Sequence, residues 1–192
     1  MSVKQVLTQL IRRYEALQEP IGWPELPWEA EWKSECLIMP RGIIDEPKEG
    51  EELPWRPVEM QQAPDMFNRL SEALETPIHP DLVNYYSTYW SDPIYAQHPE
   101  GELSLLFVWN DQEFERLRAN LIGHALAKKR MRQPLTLFFA CTEPEAAEFI
   151  SIMNDDGSIW LEAPGKKPLR QLAKDLKSFI EELEPLAHPS RR

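Results

Sequence analysis

Glycine is scarce, with 7 in 192 residues, and no run of them forms a phosphate-cradling loop or brackets a nucleophilic serine. Nucleotide binding through a glycine-rich loop and hydrolysis from a nucleophile elbow are excluded by those routes. Cysteine is scarcer still: Cys36 and Cys141 cannot build a disulfide framework, and neither stands at zinc-ligand spacing. That usage fits a reducing, cytosolic compartment. Long hydrophobic runs are missing as well, since the longest, 105–109 and 135–141 with Thr136 breaking it, fall far below the ~20 residues that span a bilayer. The first ten residues lack the apolar core of a secretory leader. Membrane contact is therefore expected to be peripheral or through a partner. Positive charge is in deficit, 21 Lys and Arg against 32 Asp and Glu, for a net charge of -11. Such a chain repels phosphate backbones, and nucleic acid is not an expected partner.

What is present is an acidic chain of one-domain length, so residues 1–192 are expected to form a single domain. The acidity is localised. Residues 15–127 hold 22 acids and 7 bases, whereas 128–192 hold 10 acids and 11 bases, including the run Lys128, Lys129, Arg130 and Arg132. A contiguous face of one sign selects a partner of the other, which points to a basic protein segment.

Apolar residues from Val3 to Leu17 recur at helical spacing behind Ser2, a ready N-cap. Residues 20–64 carry eight prolines and four tryptophans, Trp23, Trp28, Trp32 and Trp55, and read as an ordered, loop-rich layer pinned by the tryptophans, with short strands at 36–39 and 53–58. A short helix is expected over 65–75, and a second over 82–87 capped by Asp81. Strands follow at 94–97 and 102–109. Asn110 opens the longest helix, with Glu113 completing a capping box and Lys128 to Arg132 suiting its C-terminal dipole. A central strand at 135–140, a hairpin of 148–153 with 158–162, and a last helix from Pro168 through Leu183 complete the pattern, with 188–192 as a frayed tail. The fold class is α+β: a mostly antiparallel sheet of about five strands with helices packed on it.

No catalytic or metal constellation emerges. His79, His98, His124 and His188 are far apart, and Asp155, Asp156 and Gly157 supply only half of a calcium loop and read as a hairpin turn. Cys36 and Cys141 read as small core residues. His124 and Asn120 share one face of the long helix, as core, boundary or groove-lining residues. The basic run is either a helix terminus or a footing on anionic headgroups.

From Pro77 onward the chain resembles the Syd family, the bacterial SecY-interacting proteins, which are similar in fold to the SUKH superfamily. The resemblance rests on Pro77 with His79, on the strand Leu103, Ser104, Leu105, Leu106 ending at Trp109, on the run Asn120, Leu121, Ile122, Gly123, His124 followed by Lys129 and Arg130, and on Pro134 with Thr136, Leu137, Phe138 and Ala140. Residues 20–75 match in character only. The resemblance implies a non-enzymatic regulatory protein without cofactor or metal, docked on the basic cytosolic loops of SecY through an acidic concave face and restraining or quality-controlling uncomplexed or abnormal SecY. It also implies a peripheral place on the cytoplasmic side of the bacterial inner membrane beside a soluble cytoplasmic pool. Lys128, Lys129, Arg130 and Arg132 are expected to aid the membrane contact. The acids placed like the family's, and so expected at the docking face, are Asp92, Glu100, Asp111 and Glu113. A second reading, an immunity-type inhibitor whose acidic face neutralises a toxin, uses the same surface.

Overall fold

The structure, a computed structural model, describes residues 1–40, 45–62, 65–144 and 147–188. In chain order the elements are α1 (Val3–Gln18), β1 (Glu25–Pro27), β2 (Glu52–Pro54), β3 (Val58–Glu59), α2 (Met66–Leu74), α3 (Pro80–Tyr86), β4 (Tyr89–Trp90), β5 (Ile94–His98) and β6 (Gly101–Leu105). They continue with α4 (Asp111–Arg130), β7 (Thr136–Thr142), β8 (Phe149–Met153), β9 (Ile159–Glu162), β10 (Arg170–Ala173), α5 (Leu176–Glu181) and β11 (Glu184–Pro185). Seven strands form the main antiparallel sheet in the order β10-β9-β8-β7-β6-β5-β11. The α+β class is as the sequence implies.

Strand alternation divides the helices between the two faces of this sheet, because successive side chains on a strand point opposite ways. Phe138 meets His124 of α4 and Phe149, whereas its neighbour Phe139 meets Tyr85 of α3 and Phe179 of α5. Helix α1 begins as expected, with the Ser2 hydroxyl accepting from the Gln5 N–H and the Gln5 side chain accepting in return. Its buried stripe, from Val3 to Tyr14, joins one hydrophobic cluster that extends to Leu183.

The proline- and tryptophan-rich layer is ordered over its described residues; 41–44 and 63–64 lie outside them. Its strands are shorter than expected: the one expected at 36–39 is a single bridge of Leu37 to Trp55, and the one expected at 53–58 is divided between β2, which pairs with β1, and β3, which pairs with β4. Trp55 is fully buried, stacked on Tyr14 and edge-on to Trp109. The layer is fastened to the start of α4 by the Trp109 indole N–H donating to the Trp32 carbonyl (3.2 Å), the Asn110 amide donating to the Lys33 carbonyl (3.0 Å), and the Arg116 guanidinium 4.1 Å from the Trp32 ring centre.

Four local expectations are corrected. Helix α3 is capped by His79, whose Nδ1 accepts from the Asp81 N–H, because Pro80 at the first turn starts the helix earlier than an Asp81 cap allows. Strand β6 ends at Leu105: the Leu106 N–H still donates to the Phe139 carbonyl of β7, after which the chain turns away and Val108 bridges Trp90. The helix expected from Pro168 to Leu183 is a strand and a short helix. Arg170 and Gln171 satisfy the open edge of β9, and the Asp175 carboxylate then accepts from the Ser178 N–H to start α5. This segment supplies the edge strand β10, and β11 just beyond it forms the other edge, so that the main sheet has two strands more than the five expected. Finally, His188 is not frayed, since its ring packs edge-on to Trp55 and Tyr95; residues 189–192 lie outside the described residues.

The β8–β9 turn is locked to α3. Asn154 accepts from the His79 N–H and donates to the Pro77 carbonyl, both at 2.9 Å. Gly157 adopts φ +77° with the His79 imidazole only 2.6 Å from where a Cβ would stand. Gly157→Ala therefore combines left-handed strain with a clash, and a loss of about 2 kcal/mol or more in urea unfolding is expected. A neutral result would show that the turn yields freely.

Candidate protein-docking site

The structure brings some of the expected acids together and separates others. Asp92 follows β4 in the bend that leads to β5, partly exposed, with its carboxylate 3.5 Å from the His188 Nε2. Glu113 is half-buried in the first turn of α4. The expected capping box is shifted by one residue: Asn110 accepts from the Glu113 N–H at 3.0 Å, but the Glu113 carboxylate accepts from the Trp109 N–H at 2.6 Å. Burial holds the Glu113 pKa above the ordinary carboxylate value, the Trp109 N–H opposes this, and the Asp92 charge adds to it.

Two further acids, which sequence reasoning did not single out, join this pair. Burial raises the Tyr95 hydroxyl pKa on β5, and the charges of Glu143 and Asp92 raise it further. Burial pushes the Cys36 thiol up to about 12, with Asp92 and Glu35 adding to the effect. Asp92 is the shared member: its charge acts with that of Glu143 on Tyr95, with that of Glu35 on Cys36, and on Glu113 itself. Among the described residues, no lysine or arginine ion-pairs with any of the four. Glu35 arrives with the layer fastened on α4. Glu143 arrives because its N–H donates to the Glu102 carbonyl of β6 at 3.0 Å, a pairing invisible before the β6–β7 register is known.

Glu100 and Asp111 lie elsewhere. Glu100 is in the β5–β6 turn, at the end of β5 remote from Asp92, and is ion-paired with Arg170. Asp111 is exposed at the start of α4 and borders a different hollow with Gln62, Asp65 and Asn68.

Of the basic run, Lys128 cannot face a membrane. It is buried and ion-paired with Glu162 of β9, their side chains 4% and 0% exposed, and its ammonium also donates to Gln133. The helical phase turns position 128 toward the sheet, while Lys129, Arg130 and Arg132 remain exposed. His124, one turn earlier, lies edge-on between Phe138 and Phe149 with Nε2 3.1 Å from the Thr136 hydroxyl. Desolvation lowers its pKa, so the imidazole is neutral at neutral pH. Asn120 is exposed on the same helix.

Among the described residues, no group of three or more His, Cys, Asp or Glu is arranged to hold a metal ion, and no helix is long and apolar enough to cross a membrane. The raised Cys36 pKa has a direct consequence: in the native protein at pH 8 this buried thiol is expected to resist alkylation, reacting at unfolded-state rates only in denaturant. Prompt native-state labelling of Cys36 would contradict its burial.

The chain matches the family described as "Syd protein (SUKH-2)" over residues 4–185. It is similar to Protein Syd of Pseudoalteromonas atlantica, 40% identical over 186 residues that cover 96% of each chain. The Protein Syd of Alteromonas mediterranea is 40% identical over 163 residues, 84% of this chain and 85% of that one. For the Protein Syd of Colwellia psychrerythraea the identity is 44% over 117 residues, 61% and 58% of the two chains.

Proposed function

Because this chain belongs to the Syd family (SUKH-2), we propose that it is a non-enzymatic regulatory protein, acting as one domain, that binds the basic cytosolic loops of the SecY translocon subunit. In this role it restrains or quality-controls SecY that is uncomplexed or abnormal. Its place is the cytoplasmic side of the bacterial inner membrane, held peripherally by SecY, in exchange with a soluble cytoplasmic pool.

The observation that carries this reading is the group of Asp92, Glu113, Glu143 and Glu35, in which the Asp92 charge acts on Glu113 and on the same side chains as Glu143 and Glu35, and no member has a lysine or arginine ion-pair partner among the described residues. Like charges in excess of their counter-charges, here Arg116 acting on Glu113 and His188 beside Asp92, are unfavourable in the free protein and are relieved by a cationic partner, which steers and fixes the encounter. Within the proposed surface Asp92 and Glu113 are central. Asp111 contributes at its margin, and Glu100, already neutralised by Arg170, contributes least.

The test is co-purification of SecY from detergent-solubilised membranes on the immobilised chain. Capture is expected at low salt and is lost at a few hundred millimolar salt, where the screening length falls below about 8 Å. Absence of capture at any salt concentration would refute the partner assignment.

A further inference from the structure

Helix α4 does not seal the sheet face it covers. Between its C-terminal half and the face of β7 and β8 lies a cleft of about 410 Å³, a size that accepts a large side chain or small ligand. Ala127 of α4 and its C-cap Met131 line the helix side and Phe138 and Phe149 the sheet side; across the sheet the lining runs from one end at Cys141 on β7, over its partner Phe149 on β8, to the other end at Lys166 beyond β9. The cleft stays open because its lining is small at Ala127 on the helix side and at Ala163 and Gly165 opposite. Met131 is 38% exposed, so apolar surface faces water here.

The two ends differ in charge. At the Cys141 end the thiol feels the Glu143 carboxylate, and Glu143 and Asp92 both act on Tyr95. The acidic group thus begins where the cleft stops. At the other end stands Lys166, exposed and without an ion pair among the described residues, while the charge of Lys128 is cancelled by Glu162 beneath.

We propose that this cleft is an anchor pocket for one large apolar side chain of a basic polypeptide segment, whose cations lie on one flank of that side chain, against Glu143 and Asp92. This rests on the reading that the acidic group binds a basic segment, and it adds to that reading a pocket and a direction. Charge complementarity selects the occupant. The acids at the Cys141 end attract cations, and Lys166 repels them from the other, so a segment with cations on both flanks is disfavoured.

Three measurements with detergent-solubilised SecY test the proposal. Ala127→Trp fills the cleft from an exposed helix position and is expected to weaken SecY binding at least tenfold, leaving the salt dependence unchanged. Lys166→Glu is expected to strengthen binding several-fold. In the unsubstituted chain, bound SecY is expected to slow alkylation of Cys141 about tenfold, a readout independent of whether any variant folds. Native affinity in Ala127→Trp, or Cys141 alkylation unaffected by saturating SecY, would overturn the anchor pocket while leaving the electrostatic docking intact. Failure of the unsubstituted chain to bind SecY would instead refute the docking itself. Protection of Cys141 by phosphatidylglycerol vesicles without SecY would assign the cleft to lipid and overturn the proposal.

Discussion

Lys128→Ala is expected to destabilise the protein by about 3–5 kcal/mol, seen as a lowered urea midpoint at unchanged slope. Glu162 is 0% exposed and Lys128 nearly so, and the two are direct partners between α4 and β9. Removing the ammonium leaves a carboxylate with neither water nor counter-charge. One Glu162 oxygen already has no hydrogen-bond partner among the described residues, which leaves little compensation. Replacing both partners is expected to behave differently. Lys128→Met with Glu162→Leu removes both desolvation costs in a neighbourhood that already contains His124, Phe138 and Phe149, and should return stability to within about 1 kcal/mol of the native protein. If Lys128→Ala instead costs only the ~0.5 kcal/mol of an exposed ion pair, the buried pair does not exist in solution.

The second large effect concerns docking. Asp92→Lys combined with Glu143→Lys is expected to weaken SecY binding by roughly 1000-fold at low salt, since each reversal replaces an attraction of about 1 kcal/mol or more with a repulsion of similar size. Glu100→Gln is the matched control and should change binding by less than about threefold, because Arg170 already neutralises that carboxylate. Acidity supplies a further check. Protonation removes the charge of Glu113, whose pKa burial raises, so binding to a cationic partner should weaken as the pH falls through that raised value, and removing Glu113 should shift that loss to lower pH. Equal losses from Glu100→Gln and from the double reversal would place the docking surface elsewhere.

The sequence made legible whatever local chemistry decides. The Ser2 and Asn110 caps, the α1 stripe, the β5–β6 and β8–β9 hairpins and the central β7 all follow from capping, periodicity and turn residues acting over a few positions. Tertiary demands overrode local pattern in the rest. Leu169, Leu172 and Leu176 are spaced for a helix, but the open edge of β9 captures 170–173 as a strand. Lys128 reads as one of four surface cations, and only its helical phase against β9 reveals the buried partner.

Assembly also decided the candidate site. Asp92 and Glu113 lie within reach of each other's charge because the chain leaves β4 beside the start of α4, whereas Glu100 is carried to the far end of β5. Glu143 and Glu35 join them through a strand register and a docked loop layer. Net charge alone indicated an acidic protein; its location on a surface required the fold.

The most direct measurement is the affinity of the purified chain for SecY in detergent, titrated from 50 to 300 mM salt beside the Asp92→Lys, Glu143→Lys variant. The native affinity is expected to fall steeply with salt, with the variant weak and nearly flat throughout. A native affinity that ignores salt, or a variant that binds as tightly as the native chain, would contradict docking through this acidic surface.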